Sequence, residues 1–215
     1  SRIWNGWTRR DSTQEGLPDA TVWTLVPDPD ARAVWVGTNN GLARLVPGGH
    51  FMRPEGGELG RTSAIRTLFA EPGRLWIGLR SGLALYEPGR GRPAATPEWA
   101  RRIRVPVIGF ARDPDGSLWI STLGGMLRWD GTSLEEFDAS RGSAGAVAEF
   151  RITAEGRRLA LTRTTLLEFD GERFVPAPEA SDLPGEAKLG GITQLEDRRL
   201  VLAGVGALVL LRHGD

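Results

Sequence analysis

Val22-Trp-Thr-Leu-Val26, Val34-Trp-Val-Gly-Thr38 and Gly41-Leu-Ala-Arg-Leu45 are three short apolar runs in close succession. They return as Ile65-Arg-Thr-Leu-Phe69, Leu75-Trp-Ile-Gly78 and Gly82-Leu-Ala-Leu-Tyr86. They return again as Val107-Ile-Gly-Phe-Ala111, Leu118-Trp-Ile-Ser-Thr122 and Gly125-Met-Leu-Arg-Trp129. Each run has four to six residues, is rich in Val, Ile, Leu and Trp, and is bounded by turn residues, which is the signature of a strand. Two weaker copies follow: Val147-Ala-Glu-Phe-Arg151 with Leu159-Ala-Leu-Thr162 and Leu166-Leu-Glu-Phe169, then Ile192-Thr-Gln-Leu195 with Leu200-Val-Leu-Ala203 and Ala207-Leu-Val-Leu-Leu211. The starts at 22, 65, 107, 147 and 192 are spaced by 43, 42, 40 and 45 residues. A period near 42 with three or four short strands per unit predicts a β-propeller.

Turn chemistry supports the same reading. Asp113-Pro-Asp-Gly116 and Glu71-Pro-Gly-Arg74 separate the first and second strands of their units, where Pro and Gly suit tight turns. Asp130-Gly131 and Asp170-Gly171 separate the third and fourth, and Asp-Gly is a strong hairpin signal. Pro97-Glu-Trp-Ala-Arg-Arg102 reads as one helical turn. The second strand of each unit is apolar at nearly every position, so it is buried on both faces, as a blade held between two others must be. Trp35, Trp76 and Trp119 hold one place in three copies and read as structural blade-to-blade packing.

The last unit ends after its third strand, and a strand-like stretch, residues 3–9, precedes the first. Glu15-Gly-Leu-Pro18 follows that stretch, much as Asp182-Leu-Pro184 follows the strand Arg173-Phe-Val-Pro-Ala177. Residues 3–9 are therefore expected to complete the last blade, a closure that removes sheet edges. The expected fold is all-β: one five-bladed propeller of four-stranded antiparallel blades over residues 1–215, closed by the N-terminal strand. The blades are 22–53, 65–97, 107–138, 147–176 and 192–211. The alternatives are a fragment of a larger ring of seven or more blades, and five repeats completed by another chain.

These residues resemble a known family. Gly16-Leu-Pro-Asp-Ala-Thr-Val-Trp-Thr-Leu-Val-Pro-Asp28, with residues 34–45, is similar to the two-component regulator propeller repeat. Leu75-Trp-Ile-Gly78 and Leu118-Trp-Ile-Ser-Thr122 carry the likeness into the second and third copies. The resemblance implies the extracytoplasmic or periplasmic sensor region of a bacterial receptor. It also implies an output domain (a histidine kinase, a transcription regulator or a diguanylate cyclase) in the full-length protein. The family motif marks structure and carries over no ligand-binding residues.

Composition narrows the function. Formal net charge is zero, with neither the basic excess nor the basic stripe that nucleic acid would want. Lys188 is the sole lysine, so positive charge is almost all Arg, which reads as coding bias. Absent cysteine removes disulfides, thiolate metal sites and thiol nucleophiles. No run of 18 apolar residues exists, so no membrane insertion by this segment is expected. The chain begins with Ser1 rather than Met, which suggests a piece of a longer protein, and no targeting signal is visible in it.

His50 and His213 stand alone beside glycines and make no metal cluster, and no Ser-His partnership is evident. Gly56-Gly-Glu-Leu-Gly60 lacks the strand before it and the Lys after it that a phosphate loop needs. Paired carboxylates of a glycosidase would belong on the innermost strands, where Glu149 and Glu196 fall; Glu71 and Asp113 belong to turns. No catalytic residue, cofactor or metal is assigned. The expectation is a non-catalytic sensory propeller binding a small molecule or a partner protein. A stand-alone lectin-like carbohydrate binder and, further off, a five-bladed glycosidase are the alternatives. The loops joining second to third strands, with those leading into first strands, would form the ligand face. They hold Asn39, Asn40, Arg80, Ser81, Thr122 and Arg163, with Asp19, Arg61, Arg104 and Lys188 beside them, and the repeated Arg suits an anion.

Overall fold

The computed structural model describes residues 2–4, 7–9, 13, 16–54, 64–90, 92–142, 145–184 and 188–211. The chain divides into two compact units, Ser1–Arg104 and Val105–Asp215.

The first unit opens with a hairpin of β1 (Arg2–Trp4) and β2 (Trp7–Arg9). Sheet 1 is an antiparallel meander of β3 (Val22–Pro27), β4 (Val34–Thr38), β5 (Gly41–Val46) and β6 (His50–Met52). Sheet 2 repeats it with β7 (Ile65–Glu71), β8 (Arg74–Leu79), β9 (Gly82–Glu87) and β10 (Arg92–Pro93). A one-turn helix, α1 (Glu98–Arg101), follows where the sequence predicts one.

The second unit holds three sheets. Sheet 3 is β11 (Val107–Arg112), β12 (Leu118–Thr122), β13 (Gly125–Trp129) and β14 (Leu134–Phe137). Sheet 4 is β15 (Val147–Ile152), β16 (Arg158–Thr162), β17 (Leu166–Phe169) and β18 (Phe174–Pro176). Sheet 5 is β19 (Leu189–Gln194), β20 (Leu200–Gly204) and β21 (Ala207–Leu211). Five sheets of three or four antiparallel strands are thus present among the described residues.

Two expectations need correction. The N-terminal stretch is not one strand over residues 3–9 that completes the last sheet: β1 and β2 pair with each other, and sheet 5 has three strands among the described residues. The fifth copy begins at Leu189, not Ile192, so the step from the fourth start at 147 is 42 residues. Gly190 and Gly191 hide that start, because a strand that opens on two glycines shows no apolar run.

The true register appears in a shared irregularity. Each first strand carries a β-bulge after its opening residue, between Val22/Thr24, Ile65/Thr67, Val107/Gly109, Val147/Glu149 and Leu189/Gly191. A bulge sets two residues against one and re-aims the side chains beyond it. The bulged position carries no apolar demand, and Trp23, Arg66, Ile108, Ala148 and Gly190 stand there.

Sheets pack face to face within each unit. In the first, Trp35 and Leu42 of sheet 1 meet Ile65, Leu68, Ile77 and Tyr86 of sheet 2. In the second, Trp119, Met126 and Phe137 of sheet 3 meet Val147, Phe150, Leu167 and Phe174 of sheet 4. Leu159, Leu161 and Leu166 of sheet 4 then meet Leu189, Ile192, Leu200 and Leu202 of sheet 5. Middle strands β4, β8, β12 and β16 are buried on both faces, as their unbroken apolar runs predict. Strand β20 departs from that expectation, with Leu200 and Leu202 buried on one face and Ala203 exposed on the other.

Turns use the chemistry read from the sequence. Asp130 Oδ1 accepts the amides of Thr132 and Ser133, both at 2.7 Å. Asp170 Oδ1 does the same for Glu172 and Arg173, both at 2.9 Å. These local bonds replace the ladder where the chain reverses.

Candidate functional site

Within single sheets, the turn after the second strand meets the segment that leads into the first. The Asn39 amide donates to the Thr21 carbonyl at 3.0 Å, Leu123 to Pro106 at 3.1 Å, and Val205 to Lys188 at 3.0 Å. In each case the turn between second and third strands is tied to the segment leading into the first strand of its own sheet. In the second unit Leu189 also donates to the Arg163 carbonyl at 2.9 Å, which brings the exposed Arg163 and Lys188 close in backbone.

Thr122 has a different task. Its buried hydroxyl donates to the Gly125 carbonyl at 2.9 Å and accepts the Gly124 amide at 3.0 Å. Thr38 makes the same pair of bonds with Gly41 and Asn40, and Thr162 with Thr165 and Thr164. Threonine at this place closes its own hairpin. Asn39, Asn40, Arg80 and Ser81 are exposed on their turns. Arg61 lies outside the described residues.

In the first unit the structure gathers two of the expected residues into one cleft. Ser81 and Arg104 line a hollow of about 440 Å³ with Thr96 and Arg101, over an apolar floor of Leu79, Leu83, Ala100 and Ile103. Helix α1 builds its wall. Arg101 donates from Nε to the Thr96 carbonyl at 2.9 Å, which fixes the root of its guanidinium. Among the described residues no carboxylate forms an ion pair with Arg101 or Arg104. Gly82 lets the cleft form: it sits at φ 132°, and a Cβ there would lie 2.2 Å from the Ile103 carbonyl oxygen. Sequence reading placed Ser81 and Arg104 on the face but missed Thr96 and Arg101. Pro97 before a one-turn helix was the available signal, since it set that helix beside the turn.

The repeated tryptophans differ in their polar ends. Trp76 donates from Nε1 to Glu71 Oε2 at 2.8 Å, and Trp119 to Asp113 Oδ2 at 3.0 Å. Trp35 Nε1 is buried with no acceptor among the described residues, while the equivalent Asp28 pairs instead with Arg44 at 2.5 Å. Trp35 packs edge-on against Tyr86 and lines a second hollow of about 200 Å³ with Arg44, Met52, Arg53 and Pro54. Trp23 was also missed as a surface feature. It is half exposed on the bulge of β3, with the Arg66 guanidinium 4.4 Å from its ring centre, a cation–π contact.

The acids considered for catalysis are engaged elsewhere. Glu149 Oε2 accepts the Ile192 amide at 2.9 Å and Oε1 accepts from Arg151 at 2.9 Å, so it ties sheet 4 to sheet 5. Glu196 is exposed in a turn. Asp113 is buried, holds its own turn, and receives Trp119 and both Nε and an NH2 group of Arg158. Burial opposes its ionisation, but the bonds from Arg158 and Trp119 and the Arg158 charge outweigh that, and its carboxyl is held below the usual aspartate value. Arg157 is clamped by Glu168 and Glu179 at 2.7–3.0 Å, which holds it charged. No group of three metal-capable side chains occurs among the described residues.

No protein family and no curated protein matches the chain by sequence. Solved structures do. The extracellular domain assigned to a hybrid two-component system of B. thetaiotaomicron superposes with a TM-score of 0.75 at 19% identity, over 91% of this chain and 27% of that one. A second such domain from the same organism gives 0.53 at 17% identity, over 96% and 37%. The likeness is one of fold. The resemblance carried by the repeat is thus met in structure, since these neighbours are extracellular domains of two-component systems. Virginiamycin B lyase from Staphylococcus aureus also matches, with a TM-score of 0.60 at 12% identity over 89% of this chain and 70% of that one. The chain spans about a quarter to two fifths of the sensor domains it resembles. Among the described residues no helix is long and apolar enough to cross a membrane.

Proposed function

We infer that this chain is a non-catalytic five-bladed propeller segment that binds a small anionic ligand and serves as an extracytoplasmic input to bacterial signal transduction. The cleft of Ser81, Thr96, Arg101 and Arg104 carries the reading. Arg101 and Arg104 have no carboxylate partner among the described residues, and they line the cleft with Ser81, Thr96 and four apolar side chains. Concave sites with an apolar lining and a few convergent polar groups are where small ligands bind. Arginine presents a planar fork that matches a carboxylate. The ligand class that fits is a small carboxylate with an apolar body. The resemblance of the repeat and the extracellular sensor domains among its structural neighbours support the signalling role. The partner would be an output domain of the full-length protein, moved by the ligand's differing affinity for two arrangements of the input.

Benzoate is a suitable probe, with benzyl alcohol as its uncharged control. Calorimetric titration of the 215-residue chain is expected to show saturable benzoate binding and none for the alcohol. Arg101→Ala with Arg104→Ala together should weaken benzoate at least tenfold. No benzoate binding, or binding unchanged in that double variant, would contradict the reading.

A further inference from the structure

Neighbouring sheets within each unit meet through the same two faces. One face presents the third-strand residue that pairs with Gly37, Ser121 or Leu161 of the second strand: Leu42, Met126 and Leu166, all fully buried. The other presents the first-strand residue after the bulge pair: Leu68, Phe150 and Ile192, at most 7% exposed. Two positions of the repeat break this rule. Leu25, the sheet 1 counterpart of Leu68, is 63% exposed, and Leu208, the sheet 5 counterpart of Leu42, is 74% exposed. Leu210 beside Leu208 and Trp23 beside Leu25 are also exposed.

Leu17 does not fill the seat at Leu25. It covers Val36 and Ala43 on the middle strands of sheet 1. Leu183, of the matching Leu183-Pro184, packs into the cluster that sheets 4 and 5 share, so there the two sheets still meet beside it. Thr193, Val201, Ala203, Leu208 and Leu210 share the open face of sheet 5, and none is charged. Covering it therefore costs no charge desolvation. Monomers seldom leave such contiguous apolar strips bare.

We propose that the exposed Leu208–Leu210 face of one copy seats on the exposed Leu25 face of a second copy, head to tail. The chain carries both halves of a junction that it already builds between sheets 1 and 2, 3 and 4, and 4 and 5, so the contact continues an established interface. Such a contact is heterologous and propagates into rings or linear chains. It does not depend on the anion cleft.

Sedimentation velocity of the 215-residue chain from 1 to 500 μM tests it. Wild type should grow from monomer to dimer and larger species as concentration rises. Leu25→Glu and Leu208→Glu should each be monomeric alone. Mixed together, they should form dimers and nothing larger, because only one Leu25 face and one Leu208 face remain. Both positions are exposed, so each variant should keep the wild-type circular dichroism spectrum; should either fail to fold, Leu25→Thr and Leu208→Thr replace them. A wild type that stays monomeric throughout overturns the proposal. So does self-association of either single variant, which would mean a different face.

Discussion

Two junctions in the second unit make the same contact with different residues. Between sheets 3 and 4, Trp119 lies among Phe137, Phe150, Phe169 and Phe174, with ring centres 5.1–6.0 Å away, and its indole N–H reaches Asp113. Between sheets 4 and 5 the equivalent position is Leu159, and the contact is aliphatic throughout. Cross-sheet polar bonds shift accordingly. The aromatic junction pairs the buried Asp113 with the half-buried Arg158. The aliphatic junction adds backbone-directed bonds: Glu149 to the Ile192 amide, Arg151 to its carbonyl at 3.0 Å, and Gln194 to the Ala154 amide at 2.8 Å, beside a surface ion pair of Arg198 with Glu155 at 3.3 Å. The difference teaches that tryptophan is one way of filling this seat. The repeat survives its loss when leucines fill the volume and side chains fix the register.

The largest effect should come from emptying the aromatic seat. Trp119→Ala removes a ring with no exposed surface and should destabilise the chain by about 4 kcal/mol, with Leu161→Ala across the other junction costing about 3 kcal/mol. Urea unfolding followed by circular dichroism measures both. A Leu161→Ala loss larger than that of Trp119→Ala would break the ranking of the two junctions.

Next comes the ion pair. Asp113→Asn leaves the half-buried Arg158 without its counter-charge and should cost about 3 kcal/mol at pH 7. The Asp113 carboxyl titrates lower in the folded chain than in the unfolded one, so its stabilisation is complete above the ordinary aspartate value of about 3.9. It is lost as pH falls through the depressed folded value. Urea midpoints of wild type and Asp113→Asn should therefore differ by a constant amount from pH 7 to 5 and converge below pH 4. A gap that persists at pH 2 would place the effect in packing instead.

The smallest effect belongs to the aliphatic junction's polar bonds. Glu149→Ala should cost about 1 kcal/mol, since its acidic group is partly exposed and each bond is worth little net. A loss above 3 kcal/mol would show that register, not leucine packing, holds sheet 5.

Much of this was legible in the sequence because propeller packing repeats. Period, turn chemistry and the doubly buried middle strands follow from apolar runs and Asp-Gly pairs. The fifth start was obscured by Gly190 and Gly191, where a backbone bulge replaces side-chain signal. The hairpin of β1 and β2 was hidden because the seven residues 3–9 read equally well as one strand. At the candidate site, Ser81 and Arg104 were visible as turn residues of a repeating frame. Thr96 and Arg101 were not, since they belong to an insertion outside the repeat, and only its packing against β9 brings them to the cleft. Thr122 misled because a threonine on a loop and one that closes its own hairpin look alike in sequence.

The central claim is that the repeat's tryptophans build junctions while the loop cleft binds. Amide and indole resonances of the chain, followed by NMR during a benzoate titration, test it directly. Ser81, Thr96, Arg101 and Arg104 should shift along one saturable curve, and the Trp76 and Trp119 indole signals should stay in place. Indole signals that move while the cleft amides do not would contradict it.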